Sequence, residues 1–373
     1  MKATNSVLVA VIALGTVVAL AGCDDDNQET GPSGGQGAGG GSTTPTGDAG
    51  ESGGSATDFR GFFPAGSIWS TDISAAALDP ESAQTIAWMR DNGNWGSGQL
   101  SWWAHDYLRI STEWHVLFAD GSTPMVPFRH GATYYLPDCD ADLTQFPLPA
   151  GGSIEGQTGY TACVSNGGGD CHLVVFNRSQ QKLYESFGTD YASNAITSKC
   201  GIVWDTSKVY PPDGRGDQCT STDAAGLPAG ALIFSADDLA AGHIDHALRV
   251  TLPNTRIRQS VFVHPATHAA GGSAPSPAPI YGARFRLRQG FDITSYSAGM
   301  QVILTALKKY GMIMSDGGDM CITAANDADT VHKYSEFNID VSTSLSSLAV
   351  TEFEVVDGGT RIPLTYDCVR NGQ

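Results

Sequence analysis

HLVVFN, residues 172–177, is a short run of β-branched and aromatic residues that ends at an asparagine. Runs of this length, bounded by turn-forming residues, are typical of β-strands. Four further segments have the same character: KLYESFG (182–188), HALRVTL (246–252), RIRQSVFVH (256–264) and RFRLRQ (284–289). The sequence therefore predicts a mainly β fold.

Two segments have helical spacing instead. SAGMQVILTALKKYGM (297–312) carries regularly spaced apolar residues and has Gly311 near its end as a C-cap. AAALDPESAQTIAWMRDN (75–92) predicts a second helix. Many strands with two or three helices favour a β-sandwich of the jelly-roll or concanavalin-like kind.

The first 23 residues indicate export. Lys2 precedes an apolar run (7–20) that is too short to span a membrane comfortably, and the run ends in LAGC (20–23). This pattern resembles the lipobox of bacterial lipoproteins, in which the signal peptide is removed and Cys23 is lipidated. We therefore expect a protein of the bacterial cell envelope, anchored in a membrane through Cys23 and located in the periplasm or on the cell surface.

Composition divides the rest of the chain. Residues 24–57 have almost no apolar side chains and are rich in glycine and serine, which predicts a flexible tether. Residues 58–373 are long enough to form a large globular body. That body is either one domain or a tryptophan-rich N-terminal lobe (58–135) packed on residues 136–373.

Charge and cysteine content narrow the function classes. A formal net charge of −18 argues against nucleic acid as a partner. Without the lipidated residue, seven of the eight cysteines remain, which allows three disulfides and one leftover thiol in an oxidising compartment. Cys163 with Cys171, and Cys200 with Cys219, are the expected local pairs because each would close a loop rich in glycine and aspartate.

Several segments resemble, in their order and spacing, an uncharacterised family of secreted bacterial proteins. These segments are PLPAGGSIEG (147–156), CHLVVFN (171–177), KLYESF (182–187), TSTDAAGLPAGALIF (220–234), GHIDHALRVTLPNTR (242–256) and ALKKYGMIMSDGG (306–318). The resemblance implies secretion and a β-rich fold but no particular reaction. Where the family has a Trp-Pro-Ala-Arg-His-like segment, this chain has FVHPATH, with Thr267 in place of the arginine.

Acid–base candidates come from the predicted strands and the loops between them. If residues 244–252 form a strand, His246 lies on its apolar face and needs a polar partner. We expect that partner among His172, Glu185 and Asp223. A histidine and a carboxylate in contact can transfer protons at neutral pH. The alternatives are a buried structural histidine at 246 and a turn or helix-capping role for Asp223.

Metal sites have little support in the sequence. His243 and His246 would point to opposite faces of a strand, so they cannot chelate one ion together. Asp138, Asp140 and Asp142 alternate as in a calcium loop, but the glycine and the distal glutamate of an EF-hand are absent. Calcium at these three aspartates is the single cofactor considered, and no other cofactor is expected.

Two features suggest substrate binding. Trp102 and Trp103 are adjacent, so on a strand one indole could be exposed and stack on a sugar ring; the alternative is an aromatic core. No acidic residue occurs between His246 and Phe291, although six arginines do. Among these, a stripe that could bind carboxylate or sulfate groups is predicted for Arg249, Arg284, Arg286 and Arg288. The alternative for this stripe is an arginine face covered by acidic segments of the same chain.

The sequence thus favours an enzyme that acts on an extracellular polysaccharide, which the arginines suggest is anionic. It would be a hydrolase or a lyase. The alternative is a glycan-binding or surface-display lipoprotein without catalysis. Nucleotide-binding motifs and the G-x-S-x-G motif are absent from the sequence. The two hypotheses differ on whether His172, Glu185, Asp223 and His246 converge in an open cleft.

Overall fold

The computed structural model describes residues 62–64, 66–96, 107–163 and 169–371. The predicted signal peptide with Cys23, the tether, and Trp102 with Trp103 lie outside these ranges, so what the sequence predicts for them stays a prediction. Within the described ranges, none of the helices combines the length and the apolar character needed to cross a bilayer.

The described residues form three α-helices and sixteen β-strands. The helices are α1 (Ser82–Asp91), α2 (Ala236–Ala241) and α3 (Ala298–Lys309). The strands are β1 (Ile110–Trp114), β2 (Val116–Ala119), β3 (Met125–His130), β4 (Gln145–Pro147), β5 (His172–Asn177), β6 (Lys182–Phe187), β7 (Asp190–Ala192), β8 (Ala195–Ser198), β9 (Cys200–Asp205), β10 (Leu248–Leu252), β11 (Val261–Phe262), β12 (Arg284–Leu287), β13 (Met312–Gly317), β14 (Cys321–Ala325), β15 (Phe353–Val356) and β16 (Ile362–Pro363). The predicted mainly β fold is confirmed.

Three sheets of four or more strands organise the described residues. The largest has six strands in the order β1-β14-β10-β13-β12-β15, and it mixes parallel pairs (β1 with β14, β10 with β13) with antiparallel ones. Two four-stranded sheets follow the orders β2-β5-β6-β9 and β4-β3-β8-β7, and β11 pairs with β16. The candidate site is formed where strands of the six-stranded sheet and of the β2-β5-β6-β9 sheet face a shared core.

The strand predictions hold best where the apolar run is longest. β5 and β6 have nearly the predicted bounds and pair antiparallel along their whole length, from His172 opposite Phe187 to Asn177 opposite Lys182. The segment 246–252 becomes a strand only from Leu248 onward. Residue 246 therefore precedes the strand, although His246 is buried, as its assignment to the apolar face implied.

Both predicted helices exist, with one shortened. In α3 the side chain of Ser297 accepts a hydrogen bond from the amide of Met300 at 3.3 Å, and Gly311 follows the helix with φ +68°. α1 begins only at Ser82, not at residue 75. Pro80 disfavours helical backbone at the residue before it, and Leu78 instead forms a β-bridge with Val356.

The predicted division at residue 135 does not separate two lobes. β1 and β2 hydrogen-bond with β14 and β5, so both large sheets contain strands from each side of the division. The main hydrophobic core likewise runs from Phe62 through Trp114 to Val355. Residues before and after position 135 therefore share one core.

Three disulfides link described cysteines, which confirms the expected use of disulfides. The predicted pair Cys163–Cys171 is present. The predicted pair of Cys200 with Cys219 is wrong, because the bonds are Cys139–Cys200 and Cys219–Cys368. Proximity along the chain suggested the wrong partners, since both true bonds join residues far apart in sequence. No cysteine within the described ranges is free.

Candidate functional site

Seven ionisable side chains from six segments of the chain come together in the interior, and we call them the charged cluster. They lie on four strands (β5, β6, β10 and β13) and on the loops that precede β5 and follow β9. The members are Glu155, Asp170, His172, Glu185, Asp223, Arg249 and Asp316.

Arg249 on β10 holds two acids of the charged cluster. Its Nε donates to Asp223 Oδ2 at 2.8 Å and its Nη2 donates to Asp316 Oδ2 at 3.0 Å. A third bond runs from Nη1 to Thr323 Oγ1 at 3.0 Å, and the guanidinium lies 4.6 Å from the ring centroid of Trp114. Burial raises the pKa of Asp223, and it raises the pKa of Asp316 to about 7. Arg249 thus places a buried positive charge between two carboxyl groups.

Asp223 has the turn role that the sequence offered as an alternative, and it also pairs with Arg249. Its Oδ1 accepts a hydrogen bond from the amide of Ala225 at 3.0 Å, which is a turn-stabilising contact. Its Oδ2 binds Arg249. The turn continues through Gly226, which has φ +76°, and it fixes the carboxylate so that one oxygen points at the guanidinium. The local turn therefore positions Asp223 for its contact in the charged cluster.

His172 at the start of β5 is held at both ring nitrogens. Nδ1 lies 2.6 Å from Glu155 Oε2, and Nε2 lies 2.9 Å from the carbonyl oxygen of Thr222. A carbonyl can only accept, so Nε2 carries a proton, and a carboxylate at Nδ1 favours a second one. Burial lowers the pKa of His172, but Glu155 and then Asp170 raise it further, so the net shift is upward. Both ring nitrogens of His172 are therefore engaged, and the upward shift of its pKa favours the imidazolium form.

Glu185 on β6 is fully enclosed. Its Oε1 accepts from the amide of Gly230 at 2.7 Å, and its Oε2 accepts from Trp204 Nε1 at 2.8 Å and from Thr222 Oγ1 at 3.2 Å. Burial raises the pKa of Glu185 to about 7, although these donors lower it. A Cβ at Gly230 would meet a methyl group of Val174 at 2.7 Å, so glycine allows the backbone to approach the carboxylate this closely.

The charged cluster comes nearest to the surface at Asp170 and Glu155. Asp170 is half-buried as a residue, although both oxygens of its carboxyl group are buried. The Glu155 side chain is 11% exposed, whereas that of Asp223 is 0% exposed. Burial raises the pKa of Asp170 to about 7; His172 lowers it and Glu155 raises it. Asp170 directly precedes Cys171, whose disulfide to Cys163 closes the adjoining loop. Asp170 is thus the member closest to the surface, with its carboxyl oxygens still enclosed.

Three of the four predicted acid–base residues, His172, Glu185 and Asp223, belong to the charged cluster. His246 does not. It lies in the segment before β10, its Nδ1 donates to the carbonyl of Ala247 at 2.8 Å, and burial lowers its pKa. The acid that acts on it is Asp245, which is not a cluster member. The expected contact of His246 with one of these three residues is therefore wrong, and its burial fits the alternative of a structural histidine.

The predicted arginine stripe is mostly internal. Arg249 belongs to the charged cluster, and Arg284 and Arg286 are buried on β12. Both donate to backbone carbonyls of residues 68–76, and Arg286 also binds Glu354 at 2.8 Å. Arg288 is exposed and lies beyond the end of β12. Arg284 and Arg286 therefore anchor the N-terminal segment, which fits the alternative of an arginine face covered by other segments of the same chain.

The three aspartates considered for calcium point to different partners. Asp140 accepts from Arg215 and from Arg370, the latter at 2.8 Å. Asp138 accepts a backbone hydrogen bond at 2.8 Å, and Asp142 is exposed. Two guanidinium groups already neutralise the central carboxylate, so a cation has no place there. In the described part of the chain, no group of three or more histidine, cysteine, aspartate or glutamate side chains could hold a metal ion.

Sequence reasoning missed Glu155, Asp170 and Asp316. Each had a recognisable signal. Asp316 interrupts the apolar run of β13, in which all six residues are buried. Asp170 directly precedes CHLVVFN, and Glu155 lies within PLPAGGSIEG, two segments that were recognised as distinctive. An acid inside a buried strand needs a cation, and β13 lies beside β10, which carries Arg249.

No protein-family model matches the chain, and no match was found among curated proteins or among solved structures. The resemblance to secreted bacterial proteins therefore stays a prediction. The functional argument rests on the geometry of the charged cluster.

Proposed function

We propose that the chain is a lipid-anchored enzyme of the bacterial cell envelope that cleaves a polysaccharide by acid–base chemistry at the charged cluster. One observation carries the proposal: seven ionisable side chains from six segments converge, and the group comes nearest to the surface at the half-buried Asp170. Perturbed carboxyl groups beside a buried cation are typical of catalytic sites. The three disulfides support an oxidising compartment.

Asp170 has the properties of the proton-transferring group. A carboxyl with a pKa of about 7 is partly protonated and partly ionised near neutral pH, so it can serve as an acid or as a base. The imidazolium of His172, which Glu155 holds in place, supplies a positive charge beside it. Arg249 adds a second positive charge deeper in the charged cluster.

Two reactions fit this arrangement. In a lyase, Asp170 removes the proton alpha to a uronate carboxylate, and the positive charge of His172 stabilises the developing negative charge. In a hydrolase, Asp170 protonates the leaving oxygen and Glu155, at the same edge of the charged cluster, is the second carboxylate. Both reactions place the bond-breaking step at the surface edge and not at the enclosed Glu185.

The proposed substrate is still a polysaccharide, but it is no longer expected to be anionic. The expectation of an anionic substrate relied on Arg284 and Arg286. Their guanidinium groups already donate hydrogen bonds to backbone carbonyls and to Glu354. Trp102 and Trp103 keep their predicted sugar-stacking role as part of the proposal. Neutral and acidic polysaccharides are therefore equally supported as substrates.

We also propose that the sheets pack as a β-sandwich, as the sequence suggested. Facing sheets that bury a common core support a sandwich. The jelly-roll and concanavalin-like variants have less support, because those architectures are antiparallel whereas β1, β2, β3 and β10 each have a parallel partner.

One observation favours the alternative of a glycan-binding or display lipoprotein without catalysis. Asp223 and Glu185 are 0% exposed, and Arg249 is 2% exposed. Every hydrogen bond described above for these three residues runs to another group of the protein. A network satisfied in this way can be purely structural.

A turnover screen separates the two functions. The full chain is incubated with neutral and acidic polysaccharides, and products are followed by new reducing ends and by the ultraviolet absorbance of unsaturated sugars. We expect Asp170→Asn and Glu155→Gln to lower kcat by about 100-fold or more, whereas Asp142→Asn, at an exposed carboxylate, leaves it unchanged. Unaltered turnover in Asp170→Asn would remove the site, and glycan binding without turnover by the wild type would favour the non-catalytic alternative.

A further inference from the structure

Trp114 contacts both basic members of the charged cluster. Its ring stacks on that of His172, with the ring centroids 4.1 Å apart and the two planes inclined by 22°. The guanidinium carbon of Arg249 lies 4.6 Å from the Trp114 ring centroid. The other five members of the charged cluster are acids, so a single indole meets both of its positive charges.

The position of Trp114 follows from the path of the chain between the two sheets. Trp114 is the last residue of β1 in the six-stranded sheet, and β2 begins at Val116 in the β2-β5-β6-β9 sheet. The amide of Asn326 donates to the Trp114 carbonyl at 2.7 Å, which fixes this end of β1. β10 brings Arg249 from the first sheet, and β5 brings His172 from the second. The indole, which is only 4% exposed, therefore lies where the two sheets meet.

His172 has both opposite and like charges around it. Five ionisable groups of the charged cluster interact electrostatically with its ring: Glu155, Asp170, Asp223, Arg249 and Asp316. Burial lowers the pKa of His172, Glu155 and Asp170 raise it, and Arg249 lowers it. Of these five groups, Arg249 is the one whose charge has the same sign as the imidazolium, so the two cations disfavour each other.

The indole ring offsets this repulsion. The faces of an aromatic ring carry negative electrostatic potential because of the quadrupole of the π-system. A cation over such a face is attracted to it, and tryptophan attracts cations more strongly than tyrosine or phenylalanine does. Since this attraction acts on the imidazolium and not on the neutral imidazole, stacking on Trp114 favours the protonated ring of His172. The same indole attracts Arg249, so it stabilises both cations where the sheets bring them together.

We propose that Trp114 is a positioning residue that holds His172 in its imidazolium form beside Arg249. Phe187 also contacts the His172 ring, at a centroid distance of 5.2 Å, but its plane is tilted by 40°. The inference rests on the proposed function for its purpose, because His172 supplies the positive charge beside Asp170 in both proposed reactions. Its physical content is proton binding at His172, which can be measured without turnover.

The experiment follows the histidine side chains of the full chain by NMR over a series of pH values. The resonance that is missing in His172→Gln identifies His172. We expect Trp114→Leu to weaken proton binding at His172 about 2- to 30-fold, and Trp114→Phe, which keeps a ring, to weaken it less. Trp95→Leu is the matched control and should leave proton binding at His172 unchanged, because this buried indole packs on the rings of Phe285 and Phe353.

Fluorinated tryptophan tests the electrostatic origin of the effect without a change of packing. Growth on tryptophan with one, two or three ring fluorines lowers the negative potential of the indole faces step by step while the shape of the ring is nearly kept. All seven tryptophans are replaced, but the measurement reports on His172. We expect proton binding at His172 to weaken in the order of fluorine content, and this result does not require Trp114→Leu to fold.

The outcomes for Trp114 and for the enzyme are distinguishable. A His172 titration that is the same across the fluorinated series overturns the inference. A shift in Trp95→Leu as large as that in Trp114→Leu also overturns it, because a general loosening of the core would then explain both. If Asp170→Asn leaves turnover unaltered while fluorination moves the His172 titration, the proposed function fails and the role of Trp114 stands. If turnover depends on Asp170 but the titration does not respond, the enzyme stands and the inference fails.

Discussion

Replacing Arg249 with methionine is the most direct test of the charged cluster. Methionine has a similar length but no charge, so Asp223, whose side chain is 0% exposed, and Asp316 lose their cation. Removal of one partner from a buried ion pair costs about 3 to 5 kcal/mol, because the remaining charge is buried without compensation. We expect Arg249→Met to lower the free energy of unfolding by about this amount at pH 7.

Two further measurements test the role of Arg249: the pH dependence of the stability loss, and a second substitution at Asp223. Protonation of Asp223 and Asp316 relieves the uncompensated charge, so the loss in Arg249→Met should be smaller at pH 5 than at pH 8. Asp223→Asn in the Arg249→Met background should likewise cost less than the sum of the two single substitutions, because it removes the stranded charge. Urea unfolding followed by tryptophan fluorescence measures each free energy.

Arg288→Met is the control, since Arg288 is exposed and lies beyond β12. We expect a change of less than about 0.5 kcal/mol there. The reasoning is refuted if Arg249→Met costs less than about 1 kcal/mol, or if the loss is the same at both pH values.

Two further predictions concern stability. Burial raises the pKa of Glu185 from 4.5 to about 7, so between these pH values the folded state binds more protons than the unfolded state and stability falls as the pH rises. The free energy of unfolding of Glu185→Gln, measured with urea, should therefore depend less on pH than that of the wild type. The difference is at most about 1.4 kcal/mol per unit of pKa shift. Loss of the Cys219–Cys368 disulfide, which spans 149 residues, should lower stability by about 5 kcal/mol. Loss of Cys163–Cys171, which spans 8 residues, should lower it by about 2.5 kcal/mol. Equal losses of the thermal midpoint in variants with each cysteine pair replaced by serine would contradict this order.

The sequence predicted the elements of the fold better than their arrangement. The pair β5 and β6 and helix α3 follow from local apolar spacing, and both appear with nearly the expected bounds. Sheet order depends on contacts between segments far apart in the chain, such as β1 with β14. No local pattern encodes such a pairing, and the same limitation explains the wrong partner for Cys200.

The candidate site was predicted only in part, because its contacts also join segments that are far apart in the chain. His172, Glu185 and Asp223 were selected as polar residues in or beside buried strands, and burial does bring them together. His246 is buried as expected, but it lies two residues before β10 begins and its ring binds the Ala247 carbonyl instead of the other three residues. Asp316 was missed because its importance depends on Arg249, which lies 67 positions earlier in the sequence and on the neighbouring strand.

The charged cluster has a consequence for how the chain can be divided. Its members come from both large sheets and from positions as distant as Glu155 and Asp316, so cutting the chain anywhere between them leaves at least one fragment with acids that lack their cation or a cation that lacks its acids. Neither fragment would reproduce the structure that it has in the whole protein. We therefore expect fragments from cuts between Glu155 and Asp316 to lose solubility, and a split form to regain it only when its halves reassemble.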